Sequence, residues 1–149
     1  MAVMSPDSAV DDAILDVEQQ LSLLFNRSRA VWKEAAEQVH AELQPAGYKL
    51  FGVIVRLGET NAHALAELFE MDKSAVSRQV RVLEELGLVE SLPDATDGRA
   101  RVLVPTAAGL AKAMKVRESN KSRLRGALQT RSADDLRLFA EILAEISAA

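Results

Sequence analysis

Between Asp11 and His40 the apolar residues Ile14, Val17, Leu21, Leu24, Val31, Ala35 and Val39 recur at helical spacing, interrupted by a polar Ser28. That period puts them on one face of a long amphipathic helix. Pro45-Ala46-Gly47 is expected to break it, and Tyr48 to Leu57 reads as a second, largely buried helix stopped by Gly58. Asn61 is placed to cap a short third helix holding Leu65, Ala66 and Phe69. Asp72 is placed to cap a fourth, from Lys73 to Leu86, ended by Gly87. Leu88 to Leu92 and Arg101 to Val104 read as two short strands. The turn-rich Pro93-Asp94-Ala95-Thr96-Asp97-Gly98 between them predicts a β-hairpin. Thr106 then caps a fifth helix reaching Leu128, and Ser132 a sixth, whose Leu136, Phe139, Leu143 and Ile146 form one stripe.

This order predicts a mainly α fold, with a short-helix and hairpin module held between long terminal helices. Residues 62–86 have helix-turn-helix spacing, two helices joined by a turn of about four residues. The terminal helices carry apolar stripes with few partners inside one subunit. Burying them against a second copy gives a two-fold homodimer; closing them over the module gives a monomeric bundle.

Composition narrows the function. A chain of 149 residues suits one compact domain. No apolar run approaches a membrane span, and the acidic start MAVMSPDSAVDD lacks the order of a signal peptide, so a cytoplasmic protein without a membrane partner is expected. The absence of cysteine excludes disulfides, thiolate zinc sites and thiol switches. With only His40 and His63 a multi-histidine metal site is hard to build, and no cofactor is expected. No nucleophile–base pair or glycine-rich phosphate loop is present, so an enzyme is not expected.

The net charge of −4 argues against a nucleic-acid binder until the charges are located. Lys73, Arg78 and Arg81 stand in a stretch without acids. Lys112, Lys115, Arg117, Lys121, Arg123, Arg125 and Arg131 face only Glu118 along residues 112–131, whereas Asp7, Asp11, Asp12, Asp16 and Glu18 crowd the N-terminal segment. Nucleic acid needs a local basic face, and one exists.

At about 100° per residue, Val76, Val80 and Leu83 share one face of the fourth helix and Ser74, Ser77, Arg78 and Arg81 the opposite one, with Lys73 and Gln79 on the flanks. Hydroxyls and guanidiniums match phosphates and base edges, and the helix N-terminus attracts phosphate. Taken alone, the same face also suits a solvated surface helix.

The stretch MDKSAVSRQVRVLEELGLVE, followed by PDATDGRARVLVPTAAG and preceded by GETNAHALAELFEM, resembles the multiple antibiotic resistance regulator (MarR) family of winged helix-turn-helix proteins. That family has a D-[RK]-S-x-V-S-R recognition helix, an LE-x-x-GLVE exit, a D-x-R wing and an LT-x-x-G helix start. Four motifs in register cover roughly residues 20–112. The resemblance implies a single domain over residues 1–149, with dimerisation helices in 1–45 and 106–149 around a winged helix-turn-helix lobe in 46–105. It implies that Lys73, Ser74, Ser77, Arg78 and Gln79 enter the major groove of double-stranded DNA, with Arg81 on the same face. It further implies that Arg99 reaches the minor groove and that Asp97 holds that arginine. A hairpin-tip arginine pre-oriented by a carboxylate is physically suited to that task. Asp97 could instead simply form the turn, and Arg101, a further candidate, could be only a solvated strand residue.

The implied function is a sequence-specific transcriptional regulator: a repressor, acting as a homodimer on a pseudo-palindromic operator and released by a small amphipathic or aromatic anion. The alternative is a winged-helix protein–protein interaction module. The ligand region would include Trp32, His40, Tyr48, Phe51 and Arg56, with Lys112 or Lys115, although such aromatics are more often core. Lack of cysteine excludes the family's thiol-switch branch. Two departures stand out: Glu70 where the family often has glycine, and Pro105 before the capping threonine.

Overall fold

A computed structural model of the chain describes residues 6–149. Residues 1–5, part of the acidic start that argued against a signal peptide, lie outside the described residues. The elements run α1 (Pro6–Val39), α2 (Pro45–Leu57), α3 (Ala62–Phe69), α4 (Lys73–Glu85), β1 (Val89–Pro93), β2 (Arg101–Pro105), α5 (Ala107–Leu128) and α6 (Ala133–Ala148). The architecture is therefore mainly helical with a two-stranded antiparallel hairpin, as expected. No described helix is long and apolar enough to cross a membrane.

Local chemistry explains most boundaries. Asn61, Thr106 and Ser132 each accept a hydrogen bond from a first-turn backbone N–H of the helix they precede, those of Ala64, Gly109 and Asp135. Gly87 closes α4 with φ +72. Its N–H donates to the Glu84 carbonyl, and that of Leu88 to Leu83, the double bond of a Schellman end. Glu70 does the same for α3 at φ 49 and ψ 41, a left-handed conformation carried by a residue with a Cβ.

Two expectations are corrected. Pro45-Ala46-Gly47 is not a break but the first turn of α2; proline is tolerated at a position whose N–H has no helical partner. Asp72 occupies the N-cap of α4 with extended backbone, but its carboxylate accepts no bond from the first turn. It contributes only its charge at the positive end of the helix.

One buried cluster joins the elements: Ala35, Ala36 and Val39 of α1, Leu50, Phe51 and Ile54 of α2, Leu65 of α3, Val76, Val80 and Leu83 of α4, Leu103 of β2 and Val116 of α5. The rear half of α1 and part of α5 thus share a core with the helix-turn-helix. Thr60 extends the hairpin: its N–H donates to the Leu103 carbonyl at 3.0 Å and its carbonyl accepts from Leu103 at 2.7 Å. This ties the start of α3 to β2. No residue from 7 to 22 in α1, and none in α6, is buried.

Candidate nucleic-acid interface

The buried side of α4 fixes its open side. Val76, Val80 and Leu83 lock one face against α2, α3 and β1. The other face then presents Lys73, Ser74, Ser77, Arg78 and Arg81, all exposed. Neither Lys73, Arg78 nor Arg81 takes part in an ion pair among the described residues. Their charge is free for an external anion, beside a helix N-terminus whose N–H groups point the same way. Glu84 and Glu85 lie at the far end, so the helix is cationic along its first turns.

Gln79 stands apart from this group. It is half-buried, and its Oε1 lies so near Gly47 that a Cβ there would be 3.2 Å away. The side chain lies against the start of α2 rather than on the open face, a placement that helical projection alone did not give.

The hairpin tip is built by its own carboxylates. Asp94 Oδ1 accepts from the Thr96 N–H and hydroxyl, both at 2.8 Å. These bonds hold the Asp94 carboxyl below the ordinary aspartate range. Asp97 Oδ1 accepts from the backbone N–H of Arg99 at 3.1 Å, and its carbonyl from Ala100 at 3.0 Å. Asp97 therefore fixes the backbone of Arg99, and no ion pair joins it to the Arg99 guanidinium among the described residues. The exposed Arg99 side chain is left to project from an ordered turn. Arg101 is engaged within the hairpin: Nε donates to Ser91 Oγ at 3.1 Å and Nη2 to the Ser91 carbonyl at 2.7 Å. The exit from α4 and the end of the hairpin are joined by Thr106, whose hydroxyl donates to the Gly87 carbonyl at 2.6 Å.

A separate cleft of about 720 Å³ opens between α2 and α5, lined by Tyr48, Phe51, Arg56, Arg117, Lys121 and Leu124 among others. Three cations and no acid face it. Partial burial pushes the Tyr48 hydroxyl up, so it stays a neutral donor. Of the expected ligand region, Tyr48, Phe51 and Arg56 lie here; Trp32, His40, Lys112 and Lys115 do not line it. Trp32 instead carries the Lys49 ammonium 4.2 Å from its ring centroid, and His40 Nδ1 accepts from the Glu42 N–H. Arg117 and Lys121 were not singled out for the cleft from sequence. The signal was their spacing of four, which puts them on one face of α5 with Ala113 and Leu124.

A three-helix core with a recognition-type helix and a β-hairpin packed beside it defines a winged helix-turn-helix protein. The MarR family model matches residues 43–100. A Bacillus subtilis protein named as an HTH-type transcriptional regulator, YxaD, is 26% identical over 133 residues, covering 89% of this chain and 92% of that protein. Over residues 43–100 the chain is similar to the MarR family, and over most of its length to a protein named as an HTH-type transcriptional regulator. Its fold is similar to that of RV1404 from Mycobacterium tuberculosis, with TM-score 0.73 and 21% identity over 100% of this chain and 97% of the other. It is also similar to a mutant of MarR from E. coli complexed with operator DNA, with TM-score 0.62 and 17% identity over 91% and 96%.

Proposed function

We propose that this regulator binds double-stranded DNA sequence-specifically as a homodimer, represses from a pseudo-palindromic operator, and is released by a small amphipathic or aromatic anion. The observation that carries the reading is the open face of α4, where Lys73, Ser74, Ser77, Arg78 and Arg81 stand without partners among the described residues. The helix enters the major groove with that face, and Gln79 lies at its flank. Arg99 enters the neighbouring minor groove from a turn set by Asp97, and Arg101 stiffens the hairpin behind it. That a solved protein of similar fold is complexed with operator DNA supports DNA as the partner.

Residues 1–45 and 106–149 supply the dimer contacts, and 46–105 the DNA-binding lobe. The uncovered apolar faces of α1 and α6 support the dimer. The cationic, aromatic cleft between α2 and α5 supports an anionic ligand. Such work is carried out in the cytoplasm.

Footprinting on the DNA upstream of the chain's own gene tests the reading. The expected result is a protected site of two-fold character, with half-sites about 10 base pairs apart. Aromatic carboxylates titrated into the complex should then weaken it. Failure to protect any site, with capture of a protein partner by the α4 face, would favour an interaction module instead.

A further inference from the structure

The chain keeps its charges apart. From Asp7 to Glu18, α1 carries Asp7, Asp11, Asp12, Asp16 and Glu18 and no cation. α5 and the turn after it form the basic stretch that ends at Arg131. Of these groups only Arg123 is paired among the described residues, with Glu34 at 3.6 Å.

A single copy cannot bring the two sets together along these helices. α1 and α5 run antiparallel: Arg123 stands beside Glu34, while Lys115, Val116 and Ser119, earlier on α5, stand beside Gln38. α5 ends at Leu128, about 8 Å past Arg123 along its axis. Glu18 lies about 24 Å past Glu34 in the same direction, and Asp7 farther still. The acids project beyond the end of their own α5.

Both sets edge apolar surface that is exposed among the described residues. At about 100° per residue, Asp7, Asp11 and Glu18 line one side of the Ile14, Val17 and Leu21 stripe. Lys121 and Arg125 share a face of α5 with Met114 and Leu124, which are 67% and 63% exposed. Arg131 borders a notch lined by Leu128, Leu136 and Phe139, with Asp135 of the same chain at its edge. The basic stretch packs beside α1 and α2 rather than beside α4, so the DNA-facing reading of α4 makes no use of it.

We propose that the acidic N-terminal part of α1 in one copy lies along the basic edge of α5 and the following turn in the other, so that charge sets which faces of the dimer meet. The inference rests on the homodimer proposed above and specifies its contacts. Two-fold symmetry repeats the pairing on both sides, and opposite charge favours this register over those that bring like charges together.

The test uses two charge-reversed full-length chains. One carries Asp7→Lys, Asp11→Lys and Glu18→Lys; the other Lys121→Glu, Arg125→Glu and Arg131→Glu. All six positions are exposed, and circular dichroism checks that both variants fold. Sedimentation across a dilution series reads the dimer dissociation constant. Each variant alone should dissociate about tenfold more readily than the parent, because like charges now face each other. An equimolar mixture should recover the parent constant as a heterodimer, since reversed acids then meet reversed bases in trans. The parent dimer should loosen between about 0.1 M and about 1 M salt, where screening shortens from about 10 Å to about 3 Å.

Variants that dimerise like the parent, or that mixing does not rescue, would overturn the pairing while leaving the homodimer intact. So would an α5 variant that loses DNA affinity with its dimer constant unchanged. A parent chain that is monomeric at every salt concentration would overturn the homodimer and this pairing with it.

Discussion

Gly109 of α5 rests on the backbone of Leu88: a Cβ at position 109 would lie 2.2 Å from the Leu88 carbonyl oxygen. The same carbonyl accepts from the Thr106 N–H at 3.0 Å, so the start of α5 is seated directly on the exit from α4. Gly109→Ala should push the two apart and destabilise the chain by about 1–3 kcal/mol, as overpacking does. Thermal unfolding reads this. An unchanged midpoint would show that the contact yields freely.

The two left-handed helix ends should respond oppositely. Gly87 has φ +72, so Gly87→Ala should lower stability by about 1–2 kcal/mol. Glu70 already holds a left-handed backbone with a side chain attached, so Glu70→Gly should be neutral or stabilising by up to about 1 kcal/mol. Denaturant midpoints for the pair distinguish backbone strain from lost contacts.

Arg78 and Arg99 should fail differently in DNA binding. Arg78→Ala removes a side chain from the open face of α4. If it reads a base edge, the loss should be about 1–3 kcal/mol with relaxed specificity at one position per half-site. Arg99→Ala should weaken binding to most operators and reduce any preference for A·T-rich flanks. Asp97→Ala should reproduce part of the Arg99 defect, because the arginine's backbone would lose its acceptor. Titrations on flank variants across salt concentrations check all three. A wild-type affinity and flank preference for Arg99→Ala would remove the wing from the interface.

The hairpin tip should carry a pH signature. The Asp94 carboxyl is held low by its bonds from Thr96 and Asp97. A depressed folded value means its contribution to the turn is full above the ordinary aspartate value. It is lost as pH falls through the lowered one. Carbon-detected NMR titration should place the Asp94 midpoint below about 3.9, the value of an unstructured aspartate. Thr96→Ala should move it upward.

Phe139 is 50% exposed in the single chain, so Phe139→Lys should leave helix content unchanged. If its face is buried between copies, the charge should cost the dimer about 2 kcal/mol or more. Light scattering should then find a monomer at concentrations where the parent is a dimer. An unaltered dimer would move the interface off this face of α6.

What the sequence determined by itself was whatever is decided within a few residues. Asn61, Thr106 and Ser132 act on backbone groups three positions away, and Gly87 on the turn it closes. The helix starts they mark were therefore legible, as was the split of α4 into a Val76-Val80-Leu83 face and an Arg78-Arg81 face. Local context also misled: Pro45-Ala46-Gly47 reads as a break or as a first turn until the preceding chain direction is known. Tertiary structure alone decided which side chains meet across elements. Gln79 turns to Gly47 because α2 crosses α4 there, and Arg117 and Lys121 enter the cleft because α5 packs beside α2. Asp97 serves a backbone N–H because its turn brings that donor nearer than any guanidinium. Helical period assigns a residue to a face; only the packing of helices seated on one another, as α5 is on Leu88, decides what that face meets.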